Sequence, residues 1–125
     1  MEANHATENA PGFAKYPDYK IDIDTPTAEI TAMLQGKVIA SSKNVLIVRE
    51  SNHVPVVYFP PGDVRLDLAT RTDKESFCPF KGDATYWTFG DEKNIAWSYE
   101  DPFLEMQKIK GYLAFYTDRL DAPLI

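Results

Sequence analysis

Cys78 and Lys81 sit close together in the stretch Ser76-Phe-Cys-Pro-Phe-Lys-Gly-Asp-Ala-Thr-Tyr-Trp-Thr-Phe89, and both side chains could do chemistry. A thiol reacts as its thiolate, and a neighbouring cation favours that form. Pro79 stiffens the bend and Gly82 lets the chain turn tightly, so the Lys81 ammonium can be held in one place. In a chain of net charge −6, a lysine held this way points to an anionic ligand group, a carboxylate or a phosphate, with Arg49 and Arg65 able to join it. The plainer role for Lys81 is a surface ion pair with Asp63, Asp83 or Glu100, worth little. Cys78 has three readings: a small buried hydrophobe at the start of a turn, the wall of a ligand pocket, or a nucleophile. A nucleophilic cysteine is best attested beside a histidine. His53 stands in a polar loop, away from the motif.

The aromatic residues Tyr58, Tyr86, Trp87, Trp97, Tyr99 and Tyr116 form the second group. Successive strand residues point to opposite faces, so Tyr86 and Trp87 must diverge, as must Ala96 and Trp97. Buried tyrosines need partners for their hydroxyls. Several phenols and one lysine around an apolar hollow would have the general form of a small-molecule site. The alternative is a plain aromatic core. Stacking on single-stranded bases is a third use of such rings. Asp22 and Asp24 make an Asp-x-Asp pair whose side chains share a face if the segment is a strand, an arrangement that can hold magnesium. The phosphate-cradling turn such enzymes carry upstream is replaced here by Pro17-Asp-Tyr-Lys20, and edge-strand charge accounts for the pair.

The elements that must position these groups read as short strands. Residues 19–24 alternate apolar and charged, and Thr25-Pro26 stops them. Residues 28–34 follow, with Gln35-Gly36 as a turn. Residues 37–40 and 45–49 read as a hairpin around a polar loop. Residues 54–59 form a strand ended by Pro60-Pro61-Gly62. Residues 63–65 suit one helical turn, residues 66–70 a strand, and residues 71–75 a charged turn. Residues 76–80 re-enter the sheet. Residues 84–89, 95–99 and 112–116 are aromatic strands. Residues 103–110 suit one short helix near the C-terminus, with Pro102 at its start. The pattern is all-β, a small, strongly bent antiparallel barrel or tent-like sheet. Residues 1–20 read as an N-terminal arm that Tyr16-Pro-Asp-Tyr19 could dock onto the body. Residues 21–120 read as a single domain and residues 121–125 as a tail.

Composition narrows the function. At 125 residues and 44% hydrophobic content, one packed domain is expected. The acidic balance argues against nucleic-acid and anionic-membrane partners, both of which need a basic face. A single cysteine and a polar start are read as cytoplasmic. Cys78, His5 and His53 are too few and too scattered for structural zinc, and isolated glycines make no phosphate loop, so neither a metal nor a cofactor is expected. Monomer and homodimer stay open.

The order of motifs carries a resemblance. Val57-Tyr-Phe-Pro60 with Asp63-Val64 and Thr72 precedes Cys78-Pro-Phe-Lys-Gly82 with Ala84 and Tyr86-Trp87. Ala96-Trp-Ser-Tyr99 follows before Pro102, Ile109 and Ala114-Phe-Tyr116. This resembles the family catalogued as domain of unknown function 427, also labelled nucleotidyltransferase-like, over about residues 34–116, which leaves Asp22 and Asp24 outside. The resemblance implies a bent antiparallel β-protein and brings no established activity.

Three functions follow. The first is a binding module for a small anionic or aromatic ligand, lined by Arg49, Tyr58, Cys78, Lys81, Tyr86, Trp97 and Tyr99. The second is an enzyme in the same pocket, with Cys78 as nucleophile, Lys81 as clamp and a tyrosine such as Tyr86 as acid or base. The third is a structural or interaction domain without a ligand.

Overall fold

The computed structural model describes residues 5–125. The first four residues of the expected arm lie outside the described residues. Among the described residues nine strands, all paired antiparallel, make three sheets. They are β1 (Ile21–Asp24), β2 (Ile30–Leu34), β3 (Lys37–Ser42), β4 (Leu46–Glu50), β5 (Val56–Tyr58), β6 (Ala69–Cys78), β7 (Gly82–Phe89), β8 (Glu92–Ser98) and β9 (Leu113–Phe115). The sheet orders are β1-β4-β5, β2-β3 and β6-β7-β8-β9. Phe59 and Leu113 exchange backbone hydrogen bonds of 2.8 and 2.9 Å, which carries β5 across to β9. The fold is mainly β and bent, as expected, and the sheets do not close into a barrel.

Local chemistry explains the pairings that differ from expectation. The segment 37–40 does not form a hairpin with 45–49. Gln35 and Gly36 both take positive φ, 51° and 79°, which closes a two-residue turn and folds β3 back on β2. The Asp121 carboxylate accepts from the Gln35 and Gly36 amides at 2.8 Å each and secures that turn. β4 instead lies between β1 and β5. Residues 71–75 are not a turn: β6 runs unbroken through them with a register shift, its charged residues exposed on an edge strand. Residues 66–68 make a 3₁₀ turn rather than a strand, and the earlier 3₁₀ turn is Pro61–Asp63. The helix expected near the C-terminus is 3₁₀ over Leu104–Ile109, broken at Met106. The α-helix α1 (Pro11–Lys15) belongs to the arm.

Two apolar clusters fill the fold, and alternation sorts residues between them. Ile47, Phe59, Phe89 and Ala96 belong to one, with Trp87 packed against it. Leu46, Val48, Tyr58, Tyr86, Tyr99 and Ala114 belong to the other, with Cys78 and Trp97 packed against it. Tyr86 and Trp87 therefore diverge, as do Ala96 and Trp97, as the strand reading requires.

Candidate functional site

The turn after β6 sets the site. The Lys81 amide donates to the Cys78 carbonyl at 3.2 Å, closing Cys78-Pro-Phe-Lys81 into one tight turn. Gly82 follows at φ +120°, a conformation that favours glycine, and it packs against Pro102, whose Cα would stand 3.4 Å from an added Cβ. The Lys81 carbonyl accepts from the Phe103 amide at 3.0 Å. The turn is thus tied on both sides, and the lysine has little freedom.

Lys81 points inward. Its Nζ lies 2.6 Å from Glu50 Oε1, with the two side chains only 6% and 9% exposed. It also lies 4.0 Å from Cys78 Sγ. The expected surface pair with Asp63, Asp83 or Glu100 is not formed; the partner is Glu50, on β4. Alternation explains its direction. Glu50 follows Leu46 and Val48 at every second residue, so it faces the aromatic cluster, while Arg49 faces the other way. Arg49 Nε donates to Asp24 Oδ2 at 2.5 Å on the exposed outer face of β1. The structure therefore takes Arg49 away from Lys81. Arg65 is likewise exposed and paired with Asp67 at 2.8 Å.

The second oxygen of Glu50 accepts from the Tyr19 hydroxyl. Tyr19 comes from the arm and stacks on Phe80, with ring centroids 3.9 Å apart and an interplanar angle of 12°. Burial pushes the Glu50 carboxyl up, but the Lys81 ammonium and the Tyr19 hydroxyl outweigh it and hold it below the ordinary carboxylate range. Burial, then Glu50, pushes the Tyr19 phenol up.

The remaining phenols stand behind this pair. The Tyr58 hydroxyl accepts from Trp97 Nε1 at 3.4 Å, and burial keeps its proton on. The Tyr86 hydroxyl bonds Ser76 Oγ at 2.8 Å, and Lys74 Nζ sits 4.4 Å over its ring. Tyr99 is buried, and burial followed by the charge of its neighbours Tyr58, Cys78, Tyr86 and Glu50 raises its phenol strongly. Its hydroxyl hydrogen-bonds to no side chain among the described residues. Tyr58, Tyr86, Tyr99, Trp97 and Cys78 thus share one apolar cluster, drawn from two sheets, and Lys81 reaches it at Cys78.

Sequence reasoning missed Glu50 and Tyr19. The first was readable: Leu46-Ile-Val-Arg-Glu50 continues one alternation, but the strand read over residues 45–49 stops one residue short of the glutamate. Tyr19 reads only as part of a segment that could dock the arm, with nothing to tie it to Lys81.

A family model for a domain of unknown function, DUF427, matches residues 22–124. The chain belongs to this family. No curated protein matches it. In this DUF427 domain the matched region is wider than the motifs suggested: it takes in Asp22 and Asp24 and leaves out the arm that carries Tyr19. Both aspartates are exposed, and Asp24 is engaged by Arg49. Among the described residues no group of three acidic, histidine or cysteine side chains could hold a metal ion. No helix among them is long and apolar enough to cross a membrane. A separate groove of about 380 Å³ passes the Trp97 and Tyr116 rings, whose centroids are 4.7 Å apart, and is bounded by residues 54–57 and 123–125. Trp97 therefore joins the phenol cluster by its nitrogen and the groove by its ring.

Proposed function

We propose that this DUF427 domain is a binding module for a small aromatic molecule, taken up where Glu50 and Lys81 meet the Tyr58, Tyr86 and Tyr99 cluster beside Cys78. The observation that carries the reading is the Glu50–Lys81 pair, set 2.6 Å apart on an aromatic face with almost no exposure. Taking two charges out of water costs several kcal/mol per ion, and well-packed apolar residues often do as well for stability. A fold of this kind therefore gains little from the pair, whereas a site gains two fixed polar groups on an apolar wall. The Tyr99 hydroxyl, which bonds no side chain among the described residues, adds a third.

Of the two ligand classes considered, the aromatic one is favoured. Lys81 is neutralised by Glu50, and Arg49 is held by Asp24 on another face, so neither of the cations expected to hold an anion is free to do so. The same cluster could serve an enzyme, and the 4.0 Å approach of Lys81 Nζ to Cys78 Sγ is what favours that second reading. A cytoplasmic setting suits it, since a single thiol is kept reduced there.

The test is a thermal-shift and ligand-observed NMR screen of small aromatic compounds against inorganic phosphate and citrate. A true ligand at 100 times its Kd stabilises by about 2.7 kcal/mol. Aromatic compounds should raise the Tm and the anions should not. Tyr99→Phe should weaken the aromatic hits by about tenfold, the worth of one hydrogen bond. A screen in which no aromatic compound moves the Tm overturns the reading. For the enzyme reading, Cys78 alkylation by a charged reagent no faster than in the unfolded chain removes the nucleophile.

A further inference from the structure

The arm supplies an occupant for this site. Tyr19 lies outside the matched family region, while Glu50, Phe80 and Lys81 lie inside it. Its ring is stacked flat on Phe80 and its hydroxyl donates to the Glu50 oxygen that Lys81 leaves free. A ring on an aromatic face with its hydroxyl on a buried carboxylate is how a free phenol would be bound.

The ring is not the arm's only anchor. Upstream, the Gly12 amide donates to the Pro79 carbonyl at 2.9 Å and the Ala10 amide to Glu105 Oε1 at 2.8 Å. Downstream, Lys20 and Ser51 exchange hydrogen bonds of 3.0 Å in both directions. Between these ties, residues 14–18 are exposed, and Tyr19 is half-buried. Neither tie passes through the Tyr19 side chain.

We propose that Tyr19 is a built-in occupant of a phenol-binding site, and that the ligand of this domain is a small hydroxyaromatic molecule that takes its place on Phe80 and Glu50. This rests on the binding-module reading and names its ligand. A side chain tethered this closely competes at an effective concentration on the order of mM. A free phenol must therefore outbid it, and removing the ring should unmask the site.

The experiment uses the full chain and p-cresol, the side chain of tyrosine cut free. Wild type, Tyr19→Ala and Tyr19→Leu are titrated by NMR with p-cresol and with toluene, which lacks the hydroxyl. The expected result is that p-cresol binds both variants at least tenfold more tightly than wild type, with toluene clearly weaker, and perturbs the Phe80 and Glu50 signals. Equal p-cresol affinity for wild type and variants overturns the proposal, as does toluene binding as well as p-cresol. If Tyr19→Ala fails to fold, recovery of native fluorescence in p-cresol but not in toluene supports it, and no recovery overturns it. An aromatic compound that raises the Tm of wild type and Tyr19→Leu alike overturns the Tyr19 assignment and leaves the binding-module reading standing. If no aromatic compound binds any of the proteins, both fall.

Discussion

Glu50 and Lys81 depend on each other more than the protein depends on the pair. Lys81→Met leaves a carboxylate with almost no exposure and without its cation, and breaking a buried pair this way costs about 3–5 kcal/mol. Adding Glu50→Leu should return most of that loss. Urea melts of the two single variants and the double would measure it, and a double variant as unstable as Lys81→Met would contradict the account. The pair also sets an acid limit. Glu50 titrates at the ordinary value near 4.5 when unfolded and lower when native. Between those two values the unfolded chain binds more protons, so stability falls as the pH falls. Its contribution is fully present above about pH 4.5 and is lost as the pH drops through the native value. Glu50→Gln should flatten the Tm curve below pH 4.5; an unchanged acid limb would show that the carboxylate is not held as described. Cys78, Lys81 and the tyrosines were legible as candidates because proline, glycine and alternating aromatics are local signals. The lysine's true partner was not, since it lies 31 residues away on another strand.

The arm, as an element, is docked by small contacts in series. Gly12 lies under the Phe80 ring, where an added Cβ would come within 2.7 Å. Gly12→Ala must push aside a buried ring that also stacks on Tyr19. The expected outcome is faster cleavage within residues 5–20 in limited proteolysis with the strands intact by circular dichroism; an unchanged cleavage rate would sink it. His5 adds a clamp of its own. Asp83 at 3.0 Å, then Glu8, raise its imidazole against the opposing effect of burial. A raised base stabilises fully below its unfolded value of 6.5 and loses that stabilisation as the pH rises through the native one. Amide exchange at Glu8 and Gly12 should therefore quicken above neutral pH by more than the intrinsic pH effect, and His5→Ala should abolish the excess. Docking through Tyr19 matches the sequence reading of the arm. The α-helix did not appear in that reading because Pro11–Lys15 is one short turn without an apolar stripe.

At the scale of the molecule, β4, β5 and β8 are covered on both sides by two separate apolar clusters. Loss of packing on either side should unfold both together. Phe59→Ala, at a position with no exposure, should cost about 3–5 kcal/mol and still give one transition followed equally by far-ultraviolet circular dichroism and tryptophan fluorescence. Two separated transitions would mean that the clusters fold independently. The all-β class was readable because turn residues recur between short alternating runs. Strand partners were harder to read. The run 37–42 and the run 46–50 are neighbours in sequence with a polar loop between them, and only the two positive-φ residues at 35 and 36 decide that β3 turns back on β2.

The long outer strand β6 has a further consequence. It pairs with β7 on one side only, and Arg71, Asp73, Lys74 and Glu75 stand exposed along it in mixed sign. A strand from another molecule seeking its unused amides would have to strip water from several charges and match both signs in register. The same residues that made this segment look like a loop therefore act as a guard against sticking during refolding, when many copies are half-formed at once.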